Sequence, residues 1–221
     1  MNWSRTHRWK VAEWHPWVLK GAALSHVAAL TLMGVFLTGT FRGTQTERMY
    51  YIAEHETAVF WSWASWMFAT LAITLAFYVW LAGFHSMYRP VLQMALLIWI
   101  IGAATEILHD LIQMTIIPAL SELFLQMPSP ELAGHFNAWD RLLIRMTGVF
   151  SNTCYAISGL ISTGVMFQNK RVSNGLAGWS LFIWALVLLV ALCVGWLEVP
   201  VRGVVSISLL LFLPWAGMAA K

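Results

Sequence analysis

Apolar residues occupy this chain in long runs, interrupted by short stretches where Lys, Arg, Asp, Glu, Pro and Trp collect. Crossing roughly 30 Å of hydrocarbon at 1.5 Å per residue takes about 20 mostly apolar residues, with every backbone bond satisfied inside the segment. Six segments reach or approach that length: 17–38, 58–84, 91–117, 141–167, 178–197 and 201–219. The third is expected to end at Pro118, and the last two, separated by Glu198, Val199 and Pro200, form an antiparallel hairpin. The pattern therefore predicts an all-α, polytopic membrane bundle of about six transmembrane helices, built as a single domain over 17–221. Residues 1–16 read as an amphipathic cytoplasmic segment, because Trp3, Trp14 and Trp17 share one helical face suited to a bilayer surface. Arg5, Arg8 and Lys10 precede an apolar run longer than a signal-peptide core and without a small-residue cleavage site, so a retained first helix is expected.

Composition strengthens this picture. Only 10% of residues are charged against 59% hydrophobic, whereas a soluble domain carries roughly 25% charged residues. Trp61, Trp63 and Trp66 at one end of the second segment, and Tyr78, Trp80 and Tyr88 near the other, read as interfacial belts. A cytoplasmic N-terminus places eight Lys and Arg inside (Arg5, Arg8, Lys10, Lys20, Arg89, Lys170, Arg171, Lys221) and five outside (Arg42, Arg48, Arg141, Arg145, Arg202). That bias favours both termini in the cytoplasm, and with short loops it suits a bacterial inner membrane. The net charge of +3 comes from residues near span ends and forms no basic face for nucleic acid. The expected partners are the lipid bilayer and other membrane proteins or a second copy of the chain.

Residues 119–139 contain Pro128 and Pro130 but no Lys or Arg, which suggests a translocated loop able to act as a partial lid. Small residues are expected to set helix contacts, since lipid gives no hydrophobic drive for association. Gly21, Ser25 and Ala29 line one face of the first span, Ser65, Ala69, Ala72 and Ala76 one of the second, and Gly148, Asn152 and Gly159 one of the fourth. Cys154 and Cys193 fall inside spans and read as buried apolar groups.

Candidate chemistry concentrates on the third and fourth spans. Glu106, His109, Asp110 and Gln113 recur at i, i+3, i+4 and i+7 and so project from one helix face, surrounded by Ile107, Leu108, Leu111, Ile112 and Met114. Charges facing hydrocarbon are costly, so the stripe is expected to point into the bundle. A complementary stripe of Arg141, Arg145, Gly148, Asn152, Tyr155 and Gly159 on the antiparallel fourth span brings Arg145 level with Asp110, and an Arg145–Asp110 contact is expected. One arginine cannot neutralise two carboxylates, which leaves Glu106 to hold a proton or a cation. Glu106-x-x-His109 resembles half of a carboxylate-bridged di-iron motif, but it occurs once, so a metal, if bound, would be a single ion at Glu106 and His109. No cofactor is specified.

Secondary candidates are His55 and Glu56 beside Glu54, which otherwise read as solvated anchors, and His26, which reads as a structural histidine well separated in depth from His109. Asp140 reads as a helix N-cap. No zinc-protease, nucleophile-elbow, Walker or dinucleotide-binding motif occurs. Three function classes follow: a proton-, cation- or small-ligand-handling membrane protein, an accessory or assembly subunit of a larger membrane complex, and a membrane enzyme acting on a lipid-soluble substrate. No catalytic residue is assigned for the last.

Overall fold

Eight α-helices follow one another along the described part of the chain: α1 (Trp3–Phe36), α2 (Thr38–Phe41), α3 (Gln45–Glu54), α4 (Glu56–Ala82), α5 (Arg89–Gln126), α6 (Pro130–Arg145), α7 (Asn152–Gln168) and α8 (Asn174–Leu197). A 3-10 turn (Ser86–Tyr88) leads into α5, and a π-helical turn (Met146–Ser151) joins α6 to α7 without a break. The computed structural model describes residues 3–84, 86–170, 172–197 and 214, with side chains from Pro16 onward. The expected span at 201–219 and the side chains of the Trp3–Trp14 face lie outside the described residues.

No strand occurs among the described residues, and four helices are long and apolar enough to cross a membrane: Pro16–Phe36 of α1, α4, the stretch Ser86–Gln126 containing α5, and α8. The expected fourth span is continuous helix, running through the end of α6, the π turn Met146–Ser151 and α7, which alone has 17 residues, but it is not among those four. Many exposed positions on the long helices are apolar, among them Phe68, Leu75, Leu97, Leu108, Phe182 and Leu189, which is consistent with a membrane location.

The long helices pack in the order α1, α4, α5, α7, α8. The face of α1 that packs on α4 carries Leu19, Ala22, His26 and Ala29, so Ala29 is buried as the small-residue pattern suggests, while Gly21 is exposed. On α4 the buried stripe Val59, Trp63, Trp66, Thr70, Ile73, Phe77 and Trp80 follows helical periodicity. This corrects the interfacial reading of three tryptophans: Trp63, Trp66 and Trp80 face inward, whereas Trp61 and Tyr78 face outward.

The expected loop at 119–139 is helical. Pro118 does not end α5, because a proline removes one backbone hydrogen bond but can be carried within a helix held by its neighbours, and here it is buried. The next helix begins at Ser129, whose hydroxyl accepts from the Leu132 amide at 3.2 Å, with Pro130 in the first turn, where its missing N–H matters least. Asp140 therefore lies inside α6 and is not a cap.

With 38 residues, α5 is about 57 Å long, nearly twice the hydrocarbon thickness. Its C-terminal third carries a second core, in which Met49 and Ile52 of α3 meet Ile112, Ile117 and Phe124 of α5 and Phe136 and Leu143 of α6. Arg48 ties this cap together. Its guanidinium makes two bonds to the Asp140 carboxylate (2.9 and 3.1 Å), donates through Nε to the Thr40 carbonyl (2.6 Å) and lies over the Phe136 ring. Gln45 adds a bond to the Ala133 carbonyl. The cap helix α3 starts with a reciprocal capping box: Thr44 Oγ1 accepts from the Glu47 amide, and the Glu47 carboxylate accepts from the Thr44 amide.

Candidate functional site

Glu106 lies near the middle of α5, where that helix is flanked by α4 and α7. Trp66 Nε1 on α4 donates to Glu106 Oε1 at 2.9 Å, and the Tyr155 hydroxyl on α7 donates to Oε2 at 2.5 Å. One carboxylate thereby joins three helices. The close approach is possible because Gly102, one turn earlier on α5, sits against Ser151, Cys154 and Tyr155; a Cβ there would fall 2.9 Å from Cys154 Cβ.

One turn toward the cap, His109 and Asp110 are buried, Asp110 completely. His109 Nδ1 and Asp110 Oδ1 are 2.9 Å apart, and Gln113 Nε2 lies 3.5 Å from His109 Nε2. The imidazole meets the edge of the Trp63 ring, with centroids 5.1 Å apart. Among the described residues, Asp110 Oδ2 has no hydrogen-bond partner, and neither does Ser151 Oγ on the π turn. Neither carboxylate contacts a Lys or Arg side chain among the described residues.

The expected Arg145–Asp110 contact is absent. Leu143, Gly148 and Ser151 are the residues that turn inward on that stretch, and Arg145, two positions from Leu143 and so about 200° around the helix, is exposed. Arg141 is exposed too. Asn152 turns its amide to the Gly148 carbonyl of its own chain segment at 3.3 Å and makes no bond to Glu106. Tyr155, in contrast, reaches the carboxylate directly.

His26 lies closer to this cluster than its sequence position suggests. Its Nδ1 donates to the Ala22 carbonyl at 3.1 Å, and its ring meets the edge of Trp66, the indole that holds Glu106, at 5.8 Å. His55 and Glu56 sit elsewhere, exposed at the α3–α4 junction, where His55 stacks on Tyr51 and donates to the Tyr51 carbonyl. No three His, Cys, Asp or Glu side chains among the described residues gather in a way that could hold a metal ion. Glu106 and His109, the pair named for a single ion, are engaged with Trp66, Tyr155 and Asp110.

Sequence reasoning missed Trp66 and Trp63 as parts of the site. The signal was the i, i+3, i+7 recurrence of Trp63, Trp66 and Thr70 on one face, obscured by their nearness to Trp61 at the start of α4. The resulting site is two carboxylates one helical turn apart, one held by two neutral donors and one by a histidine, walled by indole and phenol rings. No family model, curated protein or solved structure matches the chain.

Proposed function

We propose that this chain is a multi-pass membrane protein whose α4–α5–α7 site binds and releases protons at Glu106 and Asp110. One observation carries the reading: fully buried Asp110 and partly buried Glu106 lie four residues apart with no Lys or Arg partner among the described residues, and both oxygens of Glu106 are held by neutral donors from flanking helices. Two adjacent anions in apolar surroundings repel one another and lack solvent, so the pair is stable when at least one proton resides on it. A carboxylate has about four acceptor positions, and Trp66 and Tyr155 occupy two of those on Glu106, which leaves room for the proton. The four membrane-length helices and their apolar outer faces support the membrane setting.

The test is a proton count on the purified full chain in nanodiscs. An indicator-dye titration from pH 9 to pH 5 should show wild type taking up about one proton more per chain than Glu106→Gln. Identical uptake by the two proteins would overturn the proposal.

A further inference from the structure

Along α5, the titratable side chains next to Glu106 lie on its cap side, while the other side carries only hydroxyls such as Thr70, Thr74 and Ser158 from the flanking helices. Toward the cap, α5 presents His109 and Asp110, then Gln113. Toward the other end the same helix presents Gly102, packed on α7, and then Trp99, almost fully buried. The Trp99 indole stacks on Phe77 with centroids 4.2 Å apart, meets Trp184 edge-on at 5.6 Å, leans on Tyr155 at 4.6 Å, and spends its N–H on Thr74 Oγ1. Ile73, Trp80, Ala103 and Ile183 complete this apolar wall. The Trp99 N–H is already held by Thr74, and no titratable side chain stands next to Glu106 on that side of α5 among the described residues.

Asp110 supplies the independent observation. It is completely buried, its Oδ1 is engaged by His109, and its Oδ2 has no hydrogen-bond partner among the described residues. A buried carboxylate with one oxygen fixed and the other free, one turn from Glu106, suits a group that takes a proton and gives it up again. We infer that Asp110, positioned by His109, is the station through which Glu106 exchanges protons, because it is the neighbouring titratable group with an unengaged oxygen and it lies on the cap side. This inference rests on the reading of Glu106 as a proton-binding group. In the step itself, a proton arriving past Gln113 forms an O–H bond at Asp110 Oδ2. That bond breaks as one forms on a Glu106 oxygen, leaving Asp110 ionised and Glu106 neutral, and release is the reverse. The titratable groups around Asp110 are Glu106 and His109 on α5 and Tyr155 and Cys154 on α7, with His26 of α1 behind Trp66. The nearby α4 and π-turn groups, Trp63, Trp66 and Ser151, carry no charge, and α3 brings Met49 and Ile52 to this part of α5.

The experiment follows the carboxylic-acid infrared band of Glu106 after rapid acidification of the full chain in nanodiscs. Asp110→Asn should slow its appearance about a hundredfold, and Gln113→Leu, a milder change on the same route, should slow it in the same direction. Thr74→Val, on the Trp99 side and away from Asp110, should leave the rate unchanged. An unchanged rate in both Asp110→Asn and Gln113→Leu overturns the inference while leaving a titrating Glu106 in place, and so does slowing by Thr74→Val alone. If no Glu106 band titrates in wild type, the underlying reading fails and this one falls with it.

Discussion

The Tyr155 hydroxyl of α7 donates to Glu106 Oε2 of α5 at 2.5 Å, opposite the Trp66 indole of α4, which donates to Oε1. A hydrogen bond between neutral groups contributes about 0.5–1.5 kcal/mol net. Tyr155→Phe and Trp66→Phe should each lower the stability of the reconstituted protein by about that amount in a reversible unfolding titration. Because both act on one carboxylate, the double variant should cost less than the sum of the two. Strict additivity would mean that the two donors do not share a single acceptor.

Arg48 is expected to be the main tie of the cap. Arg48→Ala leaves the Asp140 carboxylate mostly shielded from water without its guanidinium, a loss of about 3 kcal/mol for a pair of this kind. Hydrogen exchange should report it locally: the amides of α3 and α6 lose protection, while those of α4 and α7 keep theirs. Uniform loss across all helices would show that the cap is not a separable layer.

The start of α3 should be sensitive to acid. Hydrogen bonds from the Thr44 amide and hydroxyl hold the Glu47 carboxyl below its ordinary range. A depressed value in the folded state means that the cap's contribution is present at neutral pH and is lost as pH falls through that lowered value. Exchange at residues 45–54 should therefore accelerate on acidification below the usual carboxylate range. Glu47→Gln, which keeps an acceptor for the cap at every pH, should abolish the acid-dependent part. Persistence of that part in Glu47→Gln would assign it to another group.

Gly159 of α7 lies against the face of Trp184 of α8, so close that a Cβ would fall 2.1 Å from the ring. Gly159→Ala must displace the indole or part the helices, and overpacking of this kind costs about 1–3 kcal/mol. Gly164 on the same helix has open space at its Cβ, and Gly164→Ala serves as the control. Equal stability of the two variants would contradict the packing described here.

The legible part of the site was its periodicity. Glu106, His109, Asp110 and Gln113 announce one helix face because charged residues amid Ile, Leu and Met have few tolerable directions, and Tyr155 follows from the antiparallel neighbour. Side-chain azimuth was not legible. Arg145 sits at a suitable height for Asp110, but the π turn and the inward Leu143 and Gly148 set the helix rotation that points it away. Depth was misjudged for His26, since the vertical register of α1 on α4 depends on packing between Ala22, Ala29 and the α4 stripe. Pro118 read as a stop because local propensity outweighs unseen tertiary support in any sequence argument. The capping box at Thr44 and Glu47 was visible in the sequence and marks α3, which lay in what was taken as a connection between spans.

The central proposal is that the partly buried Glu106 carboxyl holds a proton of the Glu106–Asp110 pair at neutral pH, and the infrared difference spectrum between wild type and Glu106→Gln in nanodiscs at pH 7 tests it most directly. The account predicts a carboxylic-acid C=O band in wild type that disappears in Glu106→Gln and shifts in Tyr155→Phe, as its hydrogen-bond donor is lost. A wild-type spectrum with only ionised-carboxylate bands at that position would contradict it.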